Sequence, residues 1–142
     1  MSISVFFLLF YIFQTFAYVD LQGNWTNELG SKVEFEQAQN GDLWGHFTSG
    51  VGDLKGLRFW LYGHVDAYNH NPTIYFGVTF SCVVYGACNS SSWTAPNPSA
   101  VWSGIVLNDT IYTTWLFTSS LSVKTYDSWT NTLVGTNIFN RN

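Results

Sequence analysis

Short runs of alternating apolar and polar residues, separated by Gly, recur along this chain, and the alternation is clearest from Ile111 to Thr118. Read at period two, Ile111, Thr113, Trp115 and Phe117 fall on one face and Tyr112, Thr114, Leu116 and Thr118 on the other. The stretch has no charge and is rich in aromatic and β-branched residues, which is a strand composition. Both faces carry large apolar groups. Such a strand is expected to border an aromatic pocket on one side and a packed neighbour or subunit on the other. A second strand, Leu133 to Phe139, follows Trp129 close to the end of the sequence.

No stretch after the first residues shows a useful helical period. The alternation predicts strands near 20–27, 32–37, 42–49, 57–65, 73–82, 99–107, 110–119 and 130–139. Eight strands joined mostly by short turns predict an all-β fold, an eight-stranded antiparallel up-and-down β-barrel, which removes exposed edges by closing on itself. A barrel of this size holds side chains or one small ligand. The segment from Cys82 to Pro98 is too long for a tight hairpin and reads as a functional or variable loop.

The first residues stand apart. Val5 to Phe16 is nearly all apolar, the first charge is Asp20, and Thr15-Phe16-Ala17 has the small-x-small form of a cleavage site. Residues 1–17 are therefore expected to be a secretory signal peptide, although the usual positive charge before the apolar run is missing. The run is short for a membrane span of ~20 residues, so residues 18–142 are expected to be one secreted, extracellular domain with no membrane attachment after cleavage. Charged residues make up 10% of the chain and the net charge is −4, which leaves no basic footprint for nucleic acid. Cys82 and Cys88 are the only cysteines, and in an oxidising compartment they are expected to form a local disulfide. Three sequons begin at Asn24, Asn89 and Asn108, in keeping with a secreted glycoprotein.

Seven Trp in so small a chain need apolar surroundings or stacked ligands. The run Gly23-Asn24-Trp25-Thr26-Asn27-Glu28-Leu29-Gly30-Ser31 resembles the first strand and turn of the avidin and streptavidin family. Phe47-Thr48-Ser49-Gly50-Val51-Gly52 is similar to its third strand and following loop. Trp102-Ser103-Gly104, Thr114-Trp115-Leu116, and Trp129 through Asn137-Ile138-Phe139 resemble its last three strands. These five anchors fall in the family's order across residues 20–139.

The resemblance implies a non-catalytic protein that binds biotin as a ligand, with no cofactor and no metal. Asn27 and Ser31 would donate to the ureido oxygen, and Ser49 and Asn137 would each take a ureido N–H. Phe80, Trp102 and Trp115 would form aromatic walls, with Leu29, Val51 and Phe117 completing the lining and Phe47 also at the ligand. The backbone around Val51, Gly52 and Asp53 would meet the valerate carboxylate. Trp129 would cap the site of an adjacent subunit in a homo-oligomer, a tetramer by resemblance. Tyr112, Leu116 and Leu133 read as outward apolar area that a symmetric partner could cover. Trp25 reads as structural, closing one end of the barrel.

The chain also departs from the family. Phe47 stands where the family usually has a Tyr whose hydroxyl is a third donor to the ureido oxygen, and Phe80 stands in place of a Trp. Ala100 replaces a Thr that would meet the ligand's sulfur, and Phe117 replaces a smaller Leu. A reduced affinity is the expected result. The alternative is a lipocalin-like carrier of another small apolar ligand in the same barrel, which explains the aromatics but not the four recurring polar residues. His64, Asp66 and His70 are metal-like residue types, but they fall at a strand end and a loop, and no catalytic motif accompanies them.

Overall fold

The computed structural model describes residues 18–81, 97–118 and 132–142. Cys82, Cys88, Asn89 and Trp129, with the leader expected at 1–17, lie outside the described residues. Eight strands follow in order: β1 (Gly23–Asn27), β2 (Lys32–Gln37), β3 (Asp42–Thr48), β4 (Arg58–Val65), β5 (Thr73–Thr79), β6 (Ser99–Leu107), β7 (Thr110–Thr118) and β8 (Thr132–Arg141). Each pairs antiparallel with its neighbours in sequence, and β1 pairs with β8, so the sheet is a closed barrel. This is the up-and-down barrel that the alternation predicts.

Three ends differ most from the sequence expectation, among them β5, which stops at Thr79 rather than reaching 82. β8 runs to Arg141 rather than 139, because Asn140 and Arg141 pair with Thr26 and Trp25 and complete the closure. β1 begins at Gly23 rather than near residue 20. The residues before it are held outside the ladder: Val19 N–H donates to the Ala67 carbonyl at 2.9 Å, and Leu21 N–H donates to Gln37 Oε1 at 2.7 Å.

Alternation decides what is inside. On β2, Lys32, Glu34 and Glu36 face solvent while Val33 and Phe35 are buried. On β7, Ile111 and Thr113 are buried and Tyr112, Thr114 and Leu116 are exposed. The register Phe117↔Leu133 corrects one reading. Leu133 shares the inner face with Phe117, Asn137 and Phe139, and the outer face of β8 carries Val134, Thr136 and Ile138 instead. β6 and β7 are joined by Asn108 and Asp109, both with positive φ (48° and 58°), a two-residue turn whose twist suits a hairpin. Asn and Asp tolerate that backbone better than most residues.

One half of the barrel interior is solid. Phe76 stacks on Trp102 at a centroid distance of 5.0 Å and meets Phe35 and Phe139 edge-on at 5.3 and 5.8 Å. Trp25, Leu21, Val33, Leu43, Leu61, Ile74 and Ile111 fill the space around them, each at most 2% exposed. The Trp25 indole donates to the Leu21 carbonyl at 2.9 Å, and the Arg141 guanidinium lies 4.4 Å from the centre of its ring. Trp25 thus closes this end, with its single polar atom paired. Truncating it in Trp25→Ala leaves a large cavity and an unpaired carbonyl. The unfolding midpoint in urea should fall by the equivalent of about 3–5 kcal/mol with an unchanged slope; a midpoint within error of wild type would contradict this packing role.

Candidate ligand-binding site

The other half of the barrel is hollow. A cavity of about 410 Å³ opens there, lined by side chains from most of the strands, from the β1–β2 turn, from the segment after β3 and from Phe80 and Pro98 between β5 and β6. It gathers every expected ligand residue that lies within the described residues: Asn27, Leu29, Ser31, Phe47, Ser49, Val51, Phe80, Trp102, Trp115, Phe117 and Asn137. Leu54, Pro98 and Leu133 also line it. Leu29, Val51 and Leu133 stand half exposed around the mouth, whereas Asn27, Ser31, Ser49 and Asn137 are all buried, 3–8% exposed. The mouth is therefore apolar and the polar groups lie deep.

The aromatic wall continues the core. Phe47 lies 5.1 Å from Trp102 and 5.9 Å from Phe80, and Phe80 contacts Phe59 and Phe117 at 5.0 and 5.9 Å. Trp115 owes its position to Gly135, its partner across the β7–β8 ladder. A Cβ on Gly135 would come within 2.4 Å of the indole ring, so only Gly lets that ring lie against β8.

The polar residues are held by backbone. Asn27 Oδ1 accepts the N–H groups of Leu29 (3.1 Å) and Ser31 (2.8 Å), which fixes the β1–β2 turn. Ser31 Oγ accepts the Gly50 N–H at 3.0 Å. A Cβ at Gly50 would approach the backbone of Leu29, Gly30 and Ser31 within 2.4–2.5 Å, so this contact between the two loops requires Gly. Ser49 Oγ donates to the Val51 carbonyl at 2.9 Å. The segment expected to meet a carboxylate, Val51 to Asp53, enters a 3-10 turn at Gly52–Leu54.

Asn137 is the most constrained of the four. Its Oδ1 accepts the Trp102 indole N–H at 3.0 Å, its Nδ2 donates to Glu28 Oε1 at 2.7 Å, and its backbone carbonyl accepts the Thr113 hydroxyl at 3.0 Å. Glu28 Oε2 also accepts the Ile138 N–H at 2.9 Å. Partial burial pushes the Glu28 carboxyl up, but the hydrogen bonds from Asn137 and Ile138 outweigh it and hold the group below its usual range.

Sequence reasoning missed Glu28, because a carboxylate in a turn reads as solvated and nothing in the one-dimensional pattern brings it to β8. Leu133 was findable: it sits four residues before Asn137 and therefore on the same face. Elsewhere, His64 Nδ1 lies 3.0 Å from Asp42 Oδ1 on the outer surface, and Asp66 accepts from Asn69 at 3.2 Å. Among the described residues, no group of three or more His, Cys, Asp or Glu side chains is placed to hold a metal ion. Asn24, on β1, and Asn108, in the β6–β7 turn, are both exposed.

A closed up-and-down barrel with a deep, aromatic-walled cavity and a few convergent polar groups defines a small-ligand-binding barrel protein. The sequence profile of the Avidin family matches residues 16–142. The chain belongs to the avidin family. It is similar to the crystal structure of Xenavidin, with 30% identity and a TM-score of 0.68 over 88% of this chain and 99% of that one. No curated protein matches the chain significantly.

The Glu28 contacts imply a pH dependence. A carboxyl held below its ordinary value of 4.5 in the folded state contributes stability that is present above that value and is lost as pH falls through the depressed one. Thermal unfolding followed below pH 5 should therefore steepen with acid in wild type and be flatter in Glu28→Gln. Superimposable pH profiles would rule out the stabilising role of these contacts.

Proposed function

We propose that this protein binds biotin reversibly and without chemical change, with the ureido ring deep in the barrel and the valeryl chain toward the mouth. The observation that carries this reading is the arrangement of donors and acceptors deep in one aromatic-walled cavity. With Asn27 Oδ1 committed to two backbone N–H groups, the amide nitrogen is the end that can donate to a ligand, and the Ser31 hydroxyl, which accepts from Gly50, has its proton to give. These two suit a ureido oxygen. Ser49 gives its proton to the Val51 carbonyl and accepts the Val51 N–H, which leaves one lone pair for a ureido N–H, and Asn137 Oδ1 has a second lone pair for the other. In such surroundings a mispaired polar group costs ~1–3 kcal/mol, so a ligand with this pattern is selected over apolar ones of the same size.

Phe47 is 4% exposed and lines the cavity without a hydroxyl, so the ureido oxygen receives two donors here rather than three. The reading is therefore of a weakened site. Calorimetric titration with biotin should give saturable binding, and Phe47→Tyr should tighten it by roughly tenfold, the equivalent of one neutral hydrogen bond. Absence of binding in both proteins would refute the biotin assignment.

The proposal extends to a secreted homo-oligomer, with Cys82 and Cys88 bridged and the exposed sequons available for glycosylation. What supports assembly is the outer face of the barrel. Trp44, Tyr62, Val101, Leu116 and Val134 lie at one register level across β3, β4, β6, β7 and β8, each between 40% and 64% exposed, with Gly77 at that level on β5. Exposed apolar area gathered in this way is the mark of an interaction surface. In the tetramer expected from the family resemblance, Trp129 would cap a neighbour's cavity. Light scattering should then show an oligomer, and Trp129→Ala should speed biotin release. A monomer that retains full affinity, or an unchanged release rate, would count decisively against shared sites.

A further inference from the structure

Asn137 is an amide, and the outline of an amide does not reveal which end is oxygen; its partners do. One partner is the Trp102 indole, which can only donate, at 3.0 Å. The other is the Glu28 carboxylate, which when ionised can only accept, at 2.7 Å. Turning the amide over would set Oδ1 against a carboxylate and Nδ2 against an indole N–H, two repulsive contacts in place of two attractive ones. The Trp102 bond alone would favour the observed orientation, but Glu28 doubles the preference. It also polarises the amide, because a donor engaged by an anion leaves its carbonyl a stronger acceptor. Glu28 is exposed and outside the cavity lining, so it acts through Asn137.

We propose that Glu28 is a positioning residue that fixes Asn137 as an acceptor toward the cavity, restricting the site to ligands that present an N–H to β8. The inference rests on reading the cavity as a ligand site, and it adds a selectivity that the lining residues alone do not supply. A ligand with a carbonyl or carboxylate in that position would meet the Asn137 oxygen and be rejected. A ligand with an N–H there would be held by an acceptor strengthened from behind.

The donor–acceptor logic predicts a specific pattern of rescue. Asn137→Asp in the Glu28 background places two carboxylates in contact and should weaken biotin binding by tenfold or more at neutral pH. Adding Glu28→Gln should recover most of that loss. The Gln amide can donate to Asp at 137, whose oxygens can also accept from Trp102 and from the ligand. A residue that merely ties the β1–β2 turn to β8 gives the opposite result, because the double variant is then at least as weak as either single one.

A second measurement needs no ligand. In the 15N-labelled free protein, the side-chain amide protons of Asn137 and the Trp102 indole proton should shift as pH falls through the titration of Glu28. Among the causes that set that carboxyl's ionisation are its burial and its amide partners, and no charged side chain of the described residues. In Glu28→Gln both signals should cease to follow pH in that range. If wild type failed to bind biotin, the ligand assignment would fall while this titration would still decide the role of Glu28. Additive losses in the double variant, or amide and indole signals indifferent to Glu28, would overturn the proposal.

Discussion

The open end of this barrel depends on one side-chain oxygen. Asn27 Oδ1 takes the N–H groups of Leu29 and Ser31, and by doing so gives the β1–β2 turn its shape. That shape delivers Ser31 to the Gly50 N–H, joining the turn to the segment after β3. It also delivers Glu28 to Asn137 and Ile138 on β8. Three stretches far apart in sequence are thereby held in register by hydrogen bonds around a cavity. The side chains of Asn27, Ser31 and Asn137 that take part in these bonds also line the cavity. The groups a ligand would meet are the unused halves of bonds that hold the protein together, which is why the cavity is ordered before anything enters it.

The two halves of the interior divide the work. Phe76 and its edge-on neighbours Phe35 and Phe139 fill one half with buried aromatic rings. Trp102 sits on the boundary, with one face stacked on Phe76 and its indole N–H on Asn137. It is at once the last core residue and the first wall of the cavity. A shift in core packing therefore reaches the deep polar groups of the cavity through a single rigid ring.

Most of the fold was legible in the sequence because a closed antiparallel barrel obeys one rule, alternation, and the strands here keep to it. The family pattern marked the lining because its residues fall at fixed offsets within those strands. The illegible parts have physical causes. The end of β8 depends on closure against β1, a contact between opposite ends of the sequence that no local pattern encodes. The exclusion of residues 18–22 from β1 follows from Gln37 and Ala67, again distant in sequence. Glu28 was missed because a short-range reading assigns an acidic turn residue to water, and only the fold brings β8 beneath it. Leu133 was misassigned to the outer surface although its spacing from Asn137 places it inside.

Closure has a further consequence. Because β1 pairs with β8, the barrel offers no free strand edge along these ladders, and the strands themselves can meet another chain only through side chains on their outer face. Those side chains alternate residue by residue with the ones that line the cavity: Trp115 looks in and Leu116 looks out, Asn137 looks in and Ile138 looks out. Two surfaces with different tasks are thus written on one strand in interleaved positions. They are free to vary independently by substitution, because neighbours in sequence share no space. They are bound together against insertion or deletion, since a shift of one residue within a strand would exchange every inward group for an outward one. Changes of length are confined to the turns, and the strands are left to diverge in composition alone.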